Sequence, residues 1–191
     1  MSNDEFDPKG VIPACLMPFD SDLEIDEAAY RRHLSDLASI EGITAITVNG
    51  HAAEVHALSF EEQRRGIEIA RDEVGGELPL VAGIHTGNTR ESCRLANMAA
   101  AAGADALLVF PSDVLAMGGQ QRPECASAHI GAIAESTELP LILFQYPSSG
   151  GLVTRWTAIP GPWDRLDANG TKRQSGETYR KRGRITFSSV L

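Results

Sequence analysis

Five short apolar runs punctuate the chain, at residues 11–17, 43–48, 78–84, 106–110 and 139–146. Each ends in polar or glycine-rich residues, and a helix-like stretch follows each of the first four. The runs recur about every thirty residues, the repeat required when parallel strands are joined by helical crossovers and buried on both faces. The chain therefore reads as a ladder of βα units. In barrels and doubly wound sheets alike, chemistry sits on the loops that follow the strands.

Between the runs the apolar period lengthens to that of a helix. Asp26 caps a helix over residues 26–40, with Glu27 at its N-terminus and Tyr30, Leu34, Leu37 and Ile40 on one face. Gly42 supplies its stop. Ser59-Phe60-Glu61-Glu62 fits a capping box, and Ile67, Ile69, Ala70 and Val74 form the apolar face behind it. Asn88 or Thr89 caps a third helix, rich in alanine over residues 96–102 and ended by Gly103. A fourth spans about residues 123–136 and delivers the chain to the fifth run.

After residue 146 the pattern stops. Pro160 and Pro162 fall where a crossover helix belongs, and a helix interior rejects proline at about 3 kcal/mol each. Residues 172–184 are polar, with no apolar period of 2 or 3.6. The charge divides at the same place: residues 1–151 hold 9 Lys+Arg against 23 Asp+Glu, residues 152–191 hold 8 against 3, and the net is −9. The expected organisation is an α/β domain over residues 1–153 and a basic, irregular or disordered tail over 154–191.

The acidic body argues against nucleic acid, which needs clustered positive charge. No stretch approaches the roughly 20 apolar residues of a membrane span, and the acidic N-terminus lacks a signal-peptide core. Three widely spaced cysteines (Cys15, Cys93, Cys125) read as reduced thiols rather than a disulfide framework or zinc site. A cytoplasmic protein is expected. Neither a P-loop nor Gly-x-Gly-x-x-Gly follows a strand, so nucleotide binding has no support.

The candidate site is the set of loops after the runs: residues 49–54, residues 85–88, Pro111-Ser112-Asp113 and Phe144-Gln145-Tyr146-Pro147. Successive backbone N–H groups in the Gly50–Ala53 turn can hold a carboxylate without a side chain. A glycine after a strand is equally ordinary turn chemistry.

In combination these segments carry more. Pro18-Phe19-Asp20, Ile25-Asp26-Glu27, Gly50-x-x-x-Glu54-x-x-x-Leu58-Ser59-x-Glu61-Glu62, Val81-Ala82-Gly83-Ile84 with Thr89, and Ala102-Gly103-Ala104-Asp105-Ala106 follow in order. Over about residues 10–151 the chain resembles the dihydrodipicolinate synthase/N-acetylneuraminate lyase family. The resemblance implies a partial (β/α)8 TIM barrel of about five βα units and an assembly that is commonly homotetrameric. It implies a class I aldolase-type lyase without metal or cofactor. In that chemistry a lysine forms a Schiff base with pyruvate or another 2-oxo acid, and a carbon–carbon bond is made or broken.

Residue by residue, the chain departs from the family. The family's Gly-Thr-Thr-Gly-Glu loop reads Gly50-His51-Ala52-Ala53-Glu54, so substrate binding falls to Gly50, His51 and Ala52. His51 is either an acid/base or carboxylate partner or a solvated loop residue. His56 and His85 are weaker candidates, and Glu54 reads as a structural brace. Tyr-Asn-x-Pro aligns with Phe144-Gln145-Tyr146-Pro147, which puts a phenyl ring where the proton-relaying tyrosine belongs. Tyr146 either replaces the missing phenol or packs at the barrel rim. The aromatic pair expected after the fourth run is absent at Ser112-Asp113, and the arginine that often follows the proline is replaced by Ser148 or Ser149. These differences point away from dihydrodipicolinate synthase itself and toward an aldolase or hydratase-aldolase with another substrate.

Lys172 is the candidate Schiff-base residue. It follows Phe144 by 28 positions, close to the family's tyrosine-to-lysine spacing, in the context Gly170-Thr171-Lys172. Residues 165–169 before it do not form the apolar run of a buried parallel strand. Hence the alternative: a truncated or frame-changed family member, catalytically inactive, with an unrelated tail after about residue 153.

Overall fold

A computed structural model describes residues 10–115, 122–145 and 185–189. Its centre is a parallel sheet: β1 (Ile46–Val48), β2 (Leu80–Ile84), β3 (Ala106–Val109), β4 (Leu141–Gln145) and β5 (Ile185–Ser189), in that spatial order. Four helices follow the sequence expectation closely: α1 (Glu27–Ala38), α2 (Phe60–Val74), α3 (Thr89–Ala102) and α4 (Pro123–Ser136).

Local chemistry fixes the helix ends. Asp26 accepts from the Ala29 N–H at 2.9 Å, and Asn88 accepts from the Arg90 and Glu91 N–H groups. Ser59 and Glu62 close a reciprocal capping box at 3.2 and 2.6 Å, so two orphan donors of α2 are satisfied at once. Gly103 ends α3 at φ +102°, a conformation that favours glycine. Arg71 of α2 donates to the Gly103 carbonyl at 2.9 and 2.8 Å and pairs with Asp105, which accepts from the Leu80 N–H at 2.8 Å. One guanidinium thus ties α2 to the turn that launches β3.

The sheet is buried on both faces, as parallel sheets require. One face packs under the helices, with Tyr30, Leu34, Ile67, Leu80, Leu107, Ile133 and Leu141 fully enclosed. Burial of each such aliphatic side chain contributes about 1.5–3 kcal/mol. The opposite face carries a smaller cluster of Ala45, Val81, Ala106 and Ile142.

Two elements differ from the sequence expectation. Residues 11–17 form no regular strand; they run parallel to β1 through isolated bridges, Val11 with Ile43 and Ala14 with Thr47. The Thr47 N–H donates to the Pro13 carbonyl at 2.8 Å, but Pro13 has no N–H to continue the ladder. The second difference is β5, which pairs in parallel with β4 from Leu141↔Ile185 to Gln145↔Ser189. The sequence reading has no strand after residue 146. Ile185-Thr186-Phe187 suits a strand, but it is too short and too close to a charged run to register as a period.

Candidate functional site

The site is built where the C-terminal ends of β1 to β4 meet. At the end of β1, Asn49 adopts a left-handed conformation (φ 51°), which asparagine tolerates better than most residues. Its amide donates to the Gln63 carbonyl at 2.9 Å, so α2 holds the turn. The Asn49 carbonyl lies directly over Gly83 of β2, 1.9 Å from where a Cβ would stand. Glycine is therefore required at position 83 by close approach of backbone to backbone.

Beyond Asn49 the chain makes a short 3₁₀ turn, His51–Ala53. The N–H groups of Ala53 and Val55 donate to the Gly50 carbonyl at 3.1 and 3.3 Å, and that of Glu54 donates to His51 at 3.0 Å. Glu54 closes the turn through its backbone at φ 54°. Gly50 has ordinary extended backbone, and a Cβ there would meet Thr47 and Ala14 at normal contact distances of 3.5 and 3.7 Å. Conformation does not demand glycine at position 50.

The turn aims His51 into a box of rings. Its ring centroid lies 4.1 Å from that of Phe110 at the end of β3, 5.5 Å from His85 after β2, and 5.8 Å from Phe144 in β4. Phe110 and Phe144 are 4.9 Å apart, and His56 lies 6.4 Å from His85. Four successive strand ends thus supply one cluster. His85 Nε2 stands 3.7 Å from the Asp113 carboxylate; the His85 side chain is 14% exposed and that of Asp113 is 66% exposed. Beside them the Ser112 hydroxyl is buried with no hydrogen-bond partner among the described residues.

The electrostatics follow from this packing. Burial pushes the His51 imidazole below its ordinary value, the neighbouring His85 and His56 push it the same way, and Asp113 opposes them. His51 is therefore neutral near pH 7 and able to accept a proton. His129, by contrast, lies in α4 away from this cluster. Its Nδ1 pairs with the Thr89 hydroxyl at 2.8 Å, and burial lowers its pKa.

Of the residues singled out in the sequence, Gly50, His51 and Ala52 lie together in the turn beside the ring cluster. Tyr146 and Lys172 lie outside the described residues. His85 ranks low in the sequence reading, and Asp113 figures there only as a substitution in a loop. Their pairing is a tertiary contact, visible in sequence only as two polar residues that each follow a strand. No group of three or more His, Cys, Asp or Glu among the described residues could hold a metal ion. No helix among them is long and apolar enough to cross a membrane.

A profile of the dihydrodipicolinate synthetase family matches residues 7–159. The chain belongs to that family. Its relatives include the 4-hydroxy-tetrahydrodipicolinate synthase of Methanopyrus kandleri, 38% identical over 147 residues, which are 76% of this chain and 47% of that protein. The Salinibacter ruber enzyme of the same name is 39% identical over 142 residues, 73% of this chain and 44% of its own. Among solved structures, dihydrodipicolinate synthase from Agrobacterium tumefaciens aligns with a TM-score of 0.65 at 32% identity, over 77% of this chain and 46% of that one. The α/β architecture is thus the family's, as a partial (β/α)8 barrel. The chain spans about half the length of these relatives.

Proposed function

We propose that this chain serves a class I aldolase-type lyase that acts on pyruvate or another 2-oxo acid, with a lysine Schiff base as the electron sink. The observation that carries the reading is the convergence of the family's strand-end loops on one cluster, with the Gly50–Ala52 turn beside His51, His85, Phe110 and Phe144. Backbone N–H groups of the turn hold the carboxylate, and the aromatic walls of Phe110 and Phe144 keep water from the carbonyl. Lys172 attacks the carbonyl as a neutral amine; water leaves, and the C2=N⁺ iminium draws electrons from the adjacent carbon. Tyr146 is the phenol nearest in sequence to Phe144. Homotetrameric assembly in the cytoplasm accompanies this reading.

A second reading is favoured by one observation. The strand that pairs with β4 reads Ile185-Thr186-Phe187-Ser188-Ser189 and contains no lysine. A chain whose Lys172 never reaches the strand ends would bind a 2-oxo acid without turning it over. Reduction with borohydride in the presence of pyruvate separates the two. A reduced adduct mapped to Lys172 by mass spectrometry supports the lyase; saturable pyruvate binding without an adduct supports the inactive binder.

A further inference from the structure

We propose that His85, which lies beside Asp113 and is flanked by His51, is the base that moves the C3 proton of the bound 2-oxo acid. This rests on the 2-oxo acid reading above and gives His85 the proton-moving role for which Phe144 has no group.

Two departures from the family pattern fall in one place. Phe144 stands where a proton-relaying phenol belongs, and a phenyl ring moves no proton. Ser112-Asp113 stands where an aromatic pair is expected, and its carboxylate lies 3.7 Å from His85 Nε2. The loss of one proton carrier is thus accompanied by a carboxylate–imidazole pair near the same rings. His85 lies 5.5 Å from His51 and 5.9 Å from Phe110, and His51 lies 5.8 Å from Phe144, so His85 reaches the Phe144 position through His51 and Phe110. At 3.7 Å the carboxylate is beyond hydrogen-bond reach of a neutral ring, and it stands where it pairs with the imidazole once the ring has taken a proton. The charged and titratable groups facing the pair are His51 and His56 from the loop after β1 and Asp113 from the loop after β3.

The step balances simply. The C3–H bond breaks and its proton goes to the lone pair of a His85 ring nitrogen. The bonding pair becomes the C2=C3 double bond, and the C2=N⁺ π pair moves onto nitrogen. The unlinked 2-oxo acid differs only in that the pair moves onto the carbonyl oxygen. His85 returns the proton to C3 when the step reverses.

The test is loss of the pyruvate methyl signal in D2O, followed by proton NMR with the full chain, alongside borohydride trapping on the same samples. Wild-type protein should exchange the methyl protons; H85N should lose about 100-fold or more of that rate with trapping unchanged, and H129N, in α4 away from the cluster, should keep it. D113N, at an exposed side chain, should lose about tenfold with trapping retained, and it decides the matter if H85N does not fold. Nitrogen NMR of His51 supplies a readout free of chemistry: its titration midpoint should rise in H85N and fall in D113N. Exchange that survives H85N, or that disappears in Y146F alone, overturns the proposal. A wild-type protein that is trapped but does not exchange overturns it and leaves the Schiff-base reading standing. Exchange without trapping that disappears in H85N keeps the proposal and removes the Schiff base. Absence of both overturns both.

Discussion

Substitution of Gly83 by alanine is the sharpest structural test. A Cβ at that position would lie 1.9 Å from the Asn49 carbonyl oxygen, 2.7 Å from its carbon and 3.1 Å from the Phe110 ring. Real Cβ contacts begin beyond 3 Å, so the Asn49 carbonyl must retreat by more than an ångström. It cannot do so cheaply, because the Asn49 side chain is tied to the Gln63 carbonyl and α2 packs behind it. Overpacking of this kind costs about 1–3 kcal/mol, and contact with backbone rather than a flexible side chain places Gly83→Ala at the upper end, near 3 kcal/mol. For a chain of this size that corresponds to a fall of roughly 6–12 °C in Tm. Thermal unfolding followed by circular dichroism measures it, with Gly50→Ala and Gly76→Ala as controls, since a Cβ at either meets only ordinary contacts or open space. The three variants add the same methyl group, so composition cancels. A Gly83→Ala protein that melts within a degree of its controls would refute the close approach of the β1 turn to β2. The same variant should broaden the NMR signals of His51, because the displaced carbonyl belongs to the turn that aims it.

Other expectations follow from single contacts. Ser59→Ala removes one half of the capping box and should cost about 1 kcal/mol in urea unfolding. Glu62→Gln keeps an acceptor for the Ser59 N–H but removes its charge, and its penalty should depend on pH. Hydrogen bonds from Ser59 hold the Glu62 carboxyl below its ordinary value. Its contribution is present above the unfolded-state pKa and is lost as pH falls through the lower folded value, so wild type and variant should converge in acid. Cys15 is buried against the Tyr30 hydroxyl, and burial pushes its thiol up to about 11. Iodoacetamide at pH 8 should therefore label the exposed Cys125 and spare Cys15, as read by peptide mass spectrometry.

Most of the helical layer was legible in the sequence because its determinants are local. Asp26, Ser59 with Glu62, Asn88 and Gly103 each act within a turn of their own position, so the caps follow from spacing alone. The interior strands were legible for a similar reason: continuous apolar runs have few places to go but a doubly covered sheet. What local pattern could not carry was pairing. An apolar run at residues 11–17 resembles a strand, yet Pro13 interrupts the donor series and leaves only bridges. At 185–189 a few strand-forming residues acquire their structure from the edge of β4 rather than from any period of their own. The site divides in the same way. The Gly50–Ala52 turn and His51 stand out as substitutions in a recognisable motif, whereas His85 and Asp113 gain meaning only from their 3.7 Å separation.

From β1 to β5 the order of strands across the sheet repeats their order along the chain. Such a sheet has a single growing edge during synthesis. At about 5–20 residues per second, a βα unit of roughly thirty residues leaves the ribosome every few seconds and finds its partner already waiting. No earlier strand has to be displaced to admit a later one. The edge of β4 is different, since its neighbour β5 begins 40 positions after Gln145. Until β5 is made, no strand among the described residues pairs with that edge of β4, and it is there that a chaperone or a neighbouring nascent chain would engage it.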